Sequence, residues 1–510
     1  MQKLKHYISY NYKLKILIIG IAFLSSCATL KNDNRNFDKL ISPRKLKADL
    51  NYTQRKLTKL HPHLYDYISK AELNYKFDSL KKTINQPLTK TELFYKLSPI
   101  VASIKQGHTR LFPPVKKLKT EEQNYALVNG YSTLSDFKFG IFDNRIYIIK
   151  NQKCIDSTIK IGTEIISINN HLTSDIITKY KTTFGSDGTN STFHNRMIES
   201  YFDKVAYIQL GKQDSLQLQL KYNDSVFNRT IKREFDLTHF KKKPKIKQEK
   251  TQSYLTYPNN DSCTALLTIK GFEKENFKNI FDIIEYTNSD NLIIDLRGNL
   301  GGNLKLSNKL YSYLIPEKHR FIDSIEMNSR FAILHTNAFR NKKISGKLLH
   351  ILCLPTVILY NLFFVTTKME TKKGKYFYKI KYNFAIPKSN NFKGTIFVIT
   401  NGTTFSAGSV EASILKETKR AIIVGEETGG SAIGTVAGRL PNFKLPHSNL
   451  TLSFGLMYIE QFKNNINQGK GGVIPDVKIT PTLTDRINHI DPELQWILDE
   501  IYGKHEFLKE

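Results

Sequence analysis

The stretch "GTTFSAGSVEAS", residues 402–413, places Ser406 between an apolar run and a helix-like pattern. A serine at the start of a helix stands beside free backbone N–H groups and a partial positive charge. Those groups stabilise the oxyanion that forms when a serine attacks a carbonyl carbon. The alternative is that Ser406 caps the helix, because serine is favoured at that position. Taken alone, this turn favours the cap.

A second glycine-rich turn lies in "LIIDLRGNLGGN", residues 292–303. Gly301 and Gly302 let a backbone approach a reacting carbonyl without obstruction by a side chain. Both turns follow apolar runs that predict buried strands. Since α/β folds place ligands at the carboxyl ends of parallel strands, the second turn shifts the balance towards a nucleophilic Ser406.

The elements that must position these turns alternate between strand and helix. Strand patterns begin near residues 264, 291, 395 and 421, and helical patterns follow the first three of them, near residues 274, 304 and 407. This alternation predicts an α/β domain with a largely parallel sheet. Between its halves, roughly residues 321–388, lies an insertion with an apolar run from Leu348 to Val365. Because Pro355 would break a helix midway, we interpret the run as an apolar cap or helical hairpin, and contact with a membrane stays open.

The half of the chain before this domain carries two further patterns. Residues 42–106 have helical spacing, and Gly107 suits the position just past a helix end. Short strands follow over 128–186, then a predicted strand pair at 206–211 and 215–223. Residues 161–170, with a helix over 174–180, resemble a PDZ domain, which binds extended peptides along a sheet edge. The alternative is a hairpin that packs on the core.

The N terminus predicts export. It is lysine-bearing, has an apolar run over 16–24 that is too short to span a bilayer, and ends in "LSSC". This ending resembles a bacterial lipobox, which implies that Cys27 is lipidated and anchors the protein in the cell envelope, facing the periplasm or the exterior. A cleaved signal with an incidental cysteine is the alternative.

The charge and cysteine content limit which partners and cofactors are expected. The formal charge of the 510 residues is +30, and removal of four lysines with the signal leaves +26. Such a charge suits nucleic acid, an anionic membrane or solubility. The dense patch, Lys241–Lys247, comes with no nucleic-acid motif, so a linker or an acidic membrane neighbour is favoured and no nucleic-acid partner is expected. Cys154, Cys263 and Cys353 are far apart, so neither a disulfide framework nor a metal site is indicated, and no cofactor is expected.

Four motifs, taken together and in order, resemble the carboxyl-terminal processing, or tail-specific, serine peptidases, whose core is crotonase-like. They are "IIDLRGNLGG", "TNGTTFSAGSVEA", "GEETGG" and "GGVIPDV", and with the PDZ-like segment the resemblance covers roughly residues 90–480. It implies Ser406 as the nucleophile, with oxyanion donors at Ala407 and at the Gly301–Gly302 turn. The serine–lysine branch places a lysine base 25 residues after the serine, but here that position is Ser431.

The tricorn-like branch takes its base from a histidine upstream of the PDZ-like region. The motif "QGHTRL" offers His108 at the matching place, and imidazole is a natural base near neutral pH. In isolation His108 would be an ordinary surface or core histidine. The same branch implies an acid near the end of the core that orients the base. Glu460 ranks first for this role, while Gln468 stands where some relatives carry an acid. If His108 is the base, activity should fall as pH drops through the mid-sixes.

These features predict an α/β core within a multi-domain protein that is α+β overall. The resemblance implies an envelope-anchored serine endopeptidase that hydrolyses peptide bonds of flexible protein tails through an acyl-enzyme on Ser406, without a metal or other cofactor. Its expected partners are protein or peptide tails and a membrane. The predicted divisions are a lipoprotein signal (1–27), an N-terminal helical region (28–115), a PDZ-like module with flanking strands (116–235), a peptidase core (236–490) and a C-terminal tail (491–510). The alternative function is an inactive relative that binds peptides as an envelope scaffold. A carbohydrate-active enzyme has little support, because no carboxylate pair falls in the motifs.

Overall fold

The computed structural model describes residues 34–130, 132–152, 156–233, 253–258, 262–332, 354–380, 383–462 and 469–503. Several predicted features lie outside these residues: the signal with Cys27, the basic patch 241–247, Gln468, and the cysteines at 154 and 353. No helix among the described residues is both long and apolar enough to cross a membrane.

The N-terminal region is helical, as its spacing predicts. Its elements are α1 (Pro43–Leu60), α2 (Lys70–Thr83), α3 (Lys90–Ala102), β1 (Arg110–Phe112) and α4 (Thr120–Asn129). A capping box between Thr89 and Glu92 starts α3 by satisfying two of its free amide groups. The helix ends at Ala102, so Gly107 is not the residue just past its end. Gly107 lies in the loop before β1, where a Cβ would come within 2.8 Å of the Phe405 ring.

A second unit of mixed structure follows, with its own apolar core. After a 3-10 turn (Thr133–Asp136) it contains β2 (Phe137–Phe142), β3 (Arg145–Asn151), β4 (Glu164–Ile168), β5 (His171–Leu172), α5 (Thr173–Thr183), α6 (Thr192–Leu210), β6 (Ser215–Tyr222) and β7 (Ser225–Lys232). The sheet order is β2-β3-β4-β6-β7, and neighbouring strands are antiparallel. The predicted strand and helix near residues 161–180 correspond to β4 and α5, and their PDZ-like character stays a prediction.

The strand predicted at 206–211 is wrong, because this stretch completes α6. Its buried residues are Phe193, Arg196, Ile198, Phe202, Val205 and Ala206, and the spacings 193–196, 198–202 and 202–205 are three or four. That is the helical period, so the helix buries this face against the sheet where a strand would not.

The third unit begins with β8 (Tyr254–Thr256), β9 (Thr264–Thr268), α7 (Phe277–Tyr286), β10 (Asn291–Asp295) and α8 (Leu304–Tyr311). The described part of the insertion contributes β11 (His319–Arg320), β12 (Ile322–Met327), α9 (Leu354–Lys368), β13 (Met369–Lys372), β14 (Lys375–Tyr378) and β15 (Phe384–Ala385). The described part of α9 begins at Leu354, next to Pro355, and continues to Lys368. The start of the predicted apolar run, 348–353, lies outside the described residues, so the predicted effect of Pro355 stays a prediction.

The chain then forms β16 (Thr395–Thr400), α10 (Ala407–Glu417), β17 (Ile422–Gly425), β18 (Thr435–Ala437), β19 (Asn442–Lys444), β20 (Thr451–Ser453), β21 (Met457–Gln461), β22 (Val477–Lys478), α11 (Leu483–Ile487) and α12 (Pro492–Ile501). The main sheet has the order β22-β17-β16-β10-β9-β8. All its neighbours are parallel except β8 and β9. The predicted α/β fold class is therefore confirmed.

Two smaller sheets carry parts of the site. Strand β1, which follows His108, pairs with β20 in the order β1-β20-β19 and so joins the N-terminal region to the core. The insertion adds β13, β14 and β12 to β21 and β18 in a five-stranded sheet. Each glycine-rich turn follows the carboxyl end of a buried strand. The Gly301–Gly302 turn follows β10, and the Ser406 turn follows the neighbouring strand β16.

Candidate active site

Ser406 stands at the turn between β16 and α10 in a backbone conformation that side-chain-bearing residues rarely adopt, with φ 54° and ψ −121°. Its side chain makes no capping hydrogen bond to the helix, although the residue occupies the capping position. The residue is partly exposed, whereas its neighbours Phe405 and Ala407 are buried. A strained strand-to-helix turn that presents an uncommitted hydroxyl is the arrangement used to display a serine nucleophile.

The Gly301–Gly302 turn packs directly on this serine. Gly301 has φ 100°, and a Cβ there would lie 2.7 Å from Ser406 Cβ and 2.9 Å from the Ala407 nitrogen. Asn299 holds the two turns together, because its backbone carbonyl accepts the Phe405 N–H at 2.9 Å and its side-chain Oδ1 accepts the Gly301 N–H at 2.8 Å. The structure therefore brings the two predicted turns together.

Two backbone amides of the paired turns are without an acceptor among the described residues. Ala407 begins α10, so its N–H has no intrahelical partner. Within the described residues, the Gly302 N–H also makes no hydrogen bond, whereas that of Gly301 is taken by Asn299. Of the two glycine amides implied as oxyanion donors, that of Gly302 is thus the one still available.

His108 is buried, with 9% of its surface exposed, in the loop between α3 and β1. Its ring lies against Phe405, the residue before the serine, with 4.7 Å between ring centroids. Nδ1 lies 3.4 Å from Thr435 Oγ1 on β18, and in the described part of the chain no hydrogen bond joins the ring to Ser406. Burial first, and then the Arg110 guanidinium, lowers the pKa of His108 to about 3. The imidazole is therefore neutral at pH 7, and its own protonation moves below the mid-sixes expected from the sequence.

Glu460 lies on β21, where Ser324 Oγ donates to its carboxylate at 3.1 Å. Strand β21 pairs with β18 so that Ile459 is opposite Thr435. Because side chains alternate between the faces of a strand, Glu460 leaves the sheet on the face opposite Thr435, whose hydroxyl contacts His108. The described structure thus shows no contact between Glu460 and His108, and the predicted orienting role stays a prediction.

Position 431, where the serine–lysine branch has its base, holds a buried serine. Its N–H donates to Asp187 at 3.1 Å, and its hydroxyl accepts from the Ile433 N–H at 3.2 Å. Gly430 beside it packs on the serine turn, since a Cβ there would lie 2.8 Å from the Ser406 nitrogen. Asp187 is a residue that the motifs did not reveal, because it lies far away in sequence between α5 and α6.

The acid nearest to Ser406 in sequence points away from the reaction centre. Glu411 is fully buried and accepts a hydrogen bond from Ser307 Oγ at 2.6 Å. Burial raises the pKa of Glu411 to about 8, although the Ser307 hydrogen bond partly opposes this. Ser409 donates to the Thr404 carbonyl at 2.8 Å. Both side chains hold α10 in place beneath the turn.

The sheet, the paired turns and the displayed serine define the class as a serine-type peptidase of α/β fold. Residues 263–479 match the sequence model of peptidase family S41. The match includes Ser406, Gly301 and Gly302. It excludes His108 and Asp187, which the N-terminal half supplies.

Several solved structures align with most of this chain. Mature CPAF is 13% identical with a TM-score of 0.57, over 89% of this chain and 96% of that one. Mature CPAF complexed with lactacystin gives the same identity and TM-score over 90% and 97%. The photosystem II D1 C-terminal processing protease is 13% identical over 87% and 96%, with a TM-score of 0.38. None of the curated proteins matches the sequence. At such identities the likeness to CPAF shows the fold alone.

Proposed function

We propose that this chain is an endopeptidase that hydrolyses peptide bonds in flexible protein tails through an acyl-enzyme on Ser406. The observation that carries the proposal is the strained turn at Ser406, whose hydroxyl does not cap α10 while Gly301 packs against it. A serine that only capped the helix would accept a hydrogen bond from an amide of the first turn. Backbone strain of this kind costs on the order of 1–3 kcal/mol and persists mainly at functional sites.

In the proposed reaction, Ser406 Oγ bonds to the peptide carbonyl carbon and its proton passes to Nε2 of His108. In the tautomer whose Nδ1–H donates to Thr435 Oγ1, Nε2 carries the lone pair that accepts this proton. The ring must approach Ser406 when substrate binds, as catalytic hydrogen bonds often tighten only in the complex.

The carbonyl electrons move to oxygen, and the amides of Ala407 and Gly302 donate to that oxyanion. Each such donor contributes on the order of 2.7–4 kcal/mol to the transition state. When the tetrahedral intermediate collapses, the C–N bond breaks and His108 returns its proton to the leaving amine. Water then attacks the acyl-enzyme by the same route and regenerates Ser406.

The proposal also covers how substrate tails are selected and where in the cell the protein is located. The unit over 137–232 has an antiparallel sheet, and PDZ domains, which residues 161–180 resemble in sequence, bind extended peptides at a sheet edge. This supports selection of protein tails, as does the resemblance to tail-specific peptidases. The lipobox-like Cys27 supports an envelope location by lipid anchoring.

The test is cleavage of a disordered protein with a free C terminus by the full chain in detergent, followed by mass spectrometry. We expect Ser406→Ala and His108→Ala each to abolish cleavage. His171→Ala, an exposed histidine on β5, is the matched control and should cleave normally.

Retention of cleavage in Ser406→Ala would overturn the proposal. Loss with Ser406→Ala but not with His108→Ala would assign the base to another residue. Binding of tails without cleavage by the wild type would instead support the peptide-binding scaffold.

A further inference from the structure

Asp187 is a buried carboxylate that the proposed reaction does not use. It lies in the loop between α5 and α6, with 1% of its surface exposed. Both oxygens are occupied by backbone amides from distant parts of the chain: Oδ1 accepts the Gly107 N–H at 2.6 Å and Oδ2 accepts the Ser431 N–H at 3.1 Å.

The two amides belong to the two halves of the site. Gly107 immediately precedes His108. Ser431 follows Gly430, which packs on the backbone nitrogen of Ser406. One carboxylate therefore joins the loop that carries the base to the loop that supports the nucleophile.

Asp187 does so without a balancing cation. Within the described ranges no lysine, arginine or histidine forms an ion pair with it, and its electrostatic neighbours include the phenols of Tyr67 and Tyr458. Burial raises the pKa of Asp187 to about 6, although the two amide hydrogen bonds oppose this. A buried charge with no ion-pair partner is a costly way to stabilise a loop, so geometry is the better reason for its presence.

The loop itself does not depend on Asp187. Gly188 N–H donates to the Lys105 carbonyl at 2.9 Å, Asn190 Nδ2 donates to the Thr428 carbonyl at 2.7 Å, and Thr192 Oγ1 donates to the Glu427 carbonyl at 2.9 Å. Removal of the carboxylate would thus leave the loop attached and release the amides of Gly107, before His108, and of Ser431.

We propose that Asp187 is a positioning residue that sets the placement of His108 relative to Ser406. The proposal rests on the function proposed above. A base displaced by about 1 Å can lose on the order of 100-fold in rate while substrate binding is unchanged. Asp187 should therefore act on kcat and not on KM.

The test compares Asp187→Asn and Asp187→Ala with wild type, using the full chain and a fluorogenic peptide, with rates normalised to titrated active sites. We expect kcat to fall by about 10-fold for the asparagine variant and about 100-fold for alanine, with KM within about twofold.

Asp49→Asn is the matched control, because Asp49 is also a buried carboxylate that accepts two amides of a distant loop, those of His447 and Ser448. It lies on α1, outside the site, and should change thermal stability but not kcat.

Unchanged kcat in folded Asp187 variants would overturn the proposal, and so would an equal loss of kcat in Asp49→Asn. Failure of both Asp187 variants to fold would assign the residue to stability and would also overturn it. Cleavage that persists in Ser406→Ala would remove the proposed function itself, whatever the Asp187 variants do.

Discussion

At the residue scale, Ser406 and Gly301 depend on each other. The serine has a strained backbone conformation. The neighbouring position 301 is a glycine, where any side chain would collide with Ser406. The small residues around "TTFSAGS" made the turn foreseeable from sequence, since they allow a close approach of backbones. The conformation of Ser406 was not foreseeable, because it depends on contacts with a turn more than 100 residues earlier.

We predict that Gly301→Ala lowers kcat/KM by about 100-fold or more, because the methyl group would displace Ser406 Cβ and the Ala407 amide. Gly211→Ala is the control. Gly211 also has a positive φ, of 81°, but a Cβ there meets nothing within 4 Å. It should cost about 1 kcal/mol of stability and leave activity unchanged. Peptide hydrolysis and thermal unfolding of both variants separate these effects, and equal activities would contradict the packing argument.

A second residue-scale prediction concerns acid stability. His61 is buried with Nε2 2.8 Å from Thr109 Oγ1, and burial lowers its pKa to about 4. The unfolded chain binds a proton near pH 6.5 and the folded chain only near pH 4. The free energy of unfolding is therefore highest, with respect to His61, above pH 6.5. It falls by on the order of 3 kcal/mol as the pH drops from 6.5 towards 4.

Chemical unfolding between pH 4 and 7 tests this. In His61→Gln, which keeps a polar group near Thr109, the free energy of unfolding should depend less on pH than in wild type. His171→Gln, an exposed control, should retain the wild-type slope. An unaltered slope in His61→Gln would contradict the assignment.

At the element scale, the alternation of strand and helix predicted the main sheet well, because each buried parallel strand is a short apolar run between turns. The end of the helix, 206–210, was missed because the short apolar run from Ala206 to Ile208 also suits a strand. His108 could be predicted from its motif. Its contact with Thr435 could not be predicted, because Thr435 lies on β18 in a separate sheet. Asp187 could not be predicted either, because it lies between two helices of another unit.

The elements of different units are joined by a buried ion pair. Arg196 on α6 binds Glu426, just after β17, through two bonds of 2.7 Å and also contacts Glu199 at 2.6 Å. We predict that Arg196→Met destabilises the protein by about 3–5 kcal/mol, because Glu426 is left buried without its partner. The double variant with Glu426→Leu should recover part of that loss.

Denaturant unfolding measures both variants. Lys278→Met, which removes an exposed pair with Asp282 on α7, is the control and should leave stability unchanged. If the double variant proves no more stable than Arg196→Met alone, the loss does not come from an uncompensated Glu426 charge.

At the scale of the whole molecule, the basic charge and the apolar insertion both bear on membranes. Helix α9 exposes Ile358, Leu359, Leu362 and Phe363, and lysines follow in the β13–β14 hairpin. Such a surface binds anionic lipid weakly and in a salt-dependent way. Acyl chains on Cys27 would bind far more strongly, at about 0.8 kcal/mol for each buried CH₂ group.

We therefore predict that Cys27→Ser moves the protein from the membrane fraction to the salt-extractable fraction, while its cleavage of peptides in detergent is unchanged. The physical reason is that the variant keeps the basic surface and α9 but loses the acyl chains. Fractionation with and without a high-salt wash, followed by hydrolysis assays on each fraction, is the measurement. Cys263→Ser, an exposed cysteine of the core, is the control and should stay with the membrane. A Cys27→Ser protein that resists the salt wash would place the anchor elsewhere, and α9 would then be the first surface to alter.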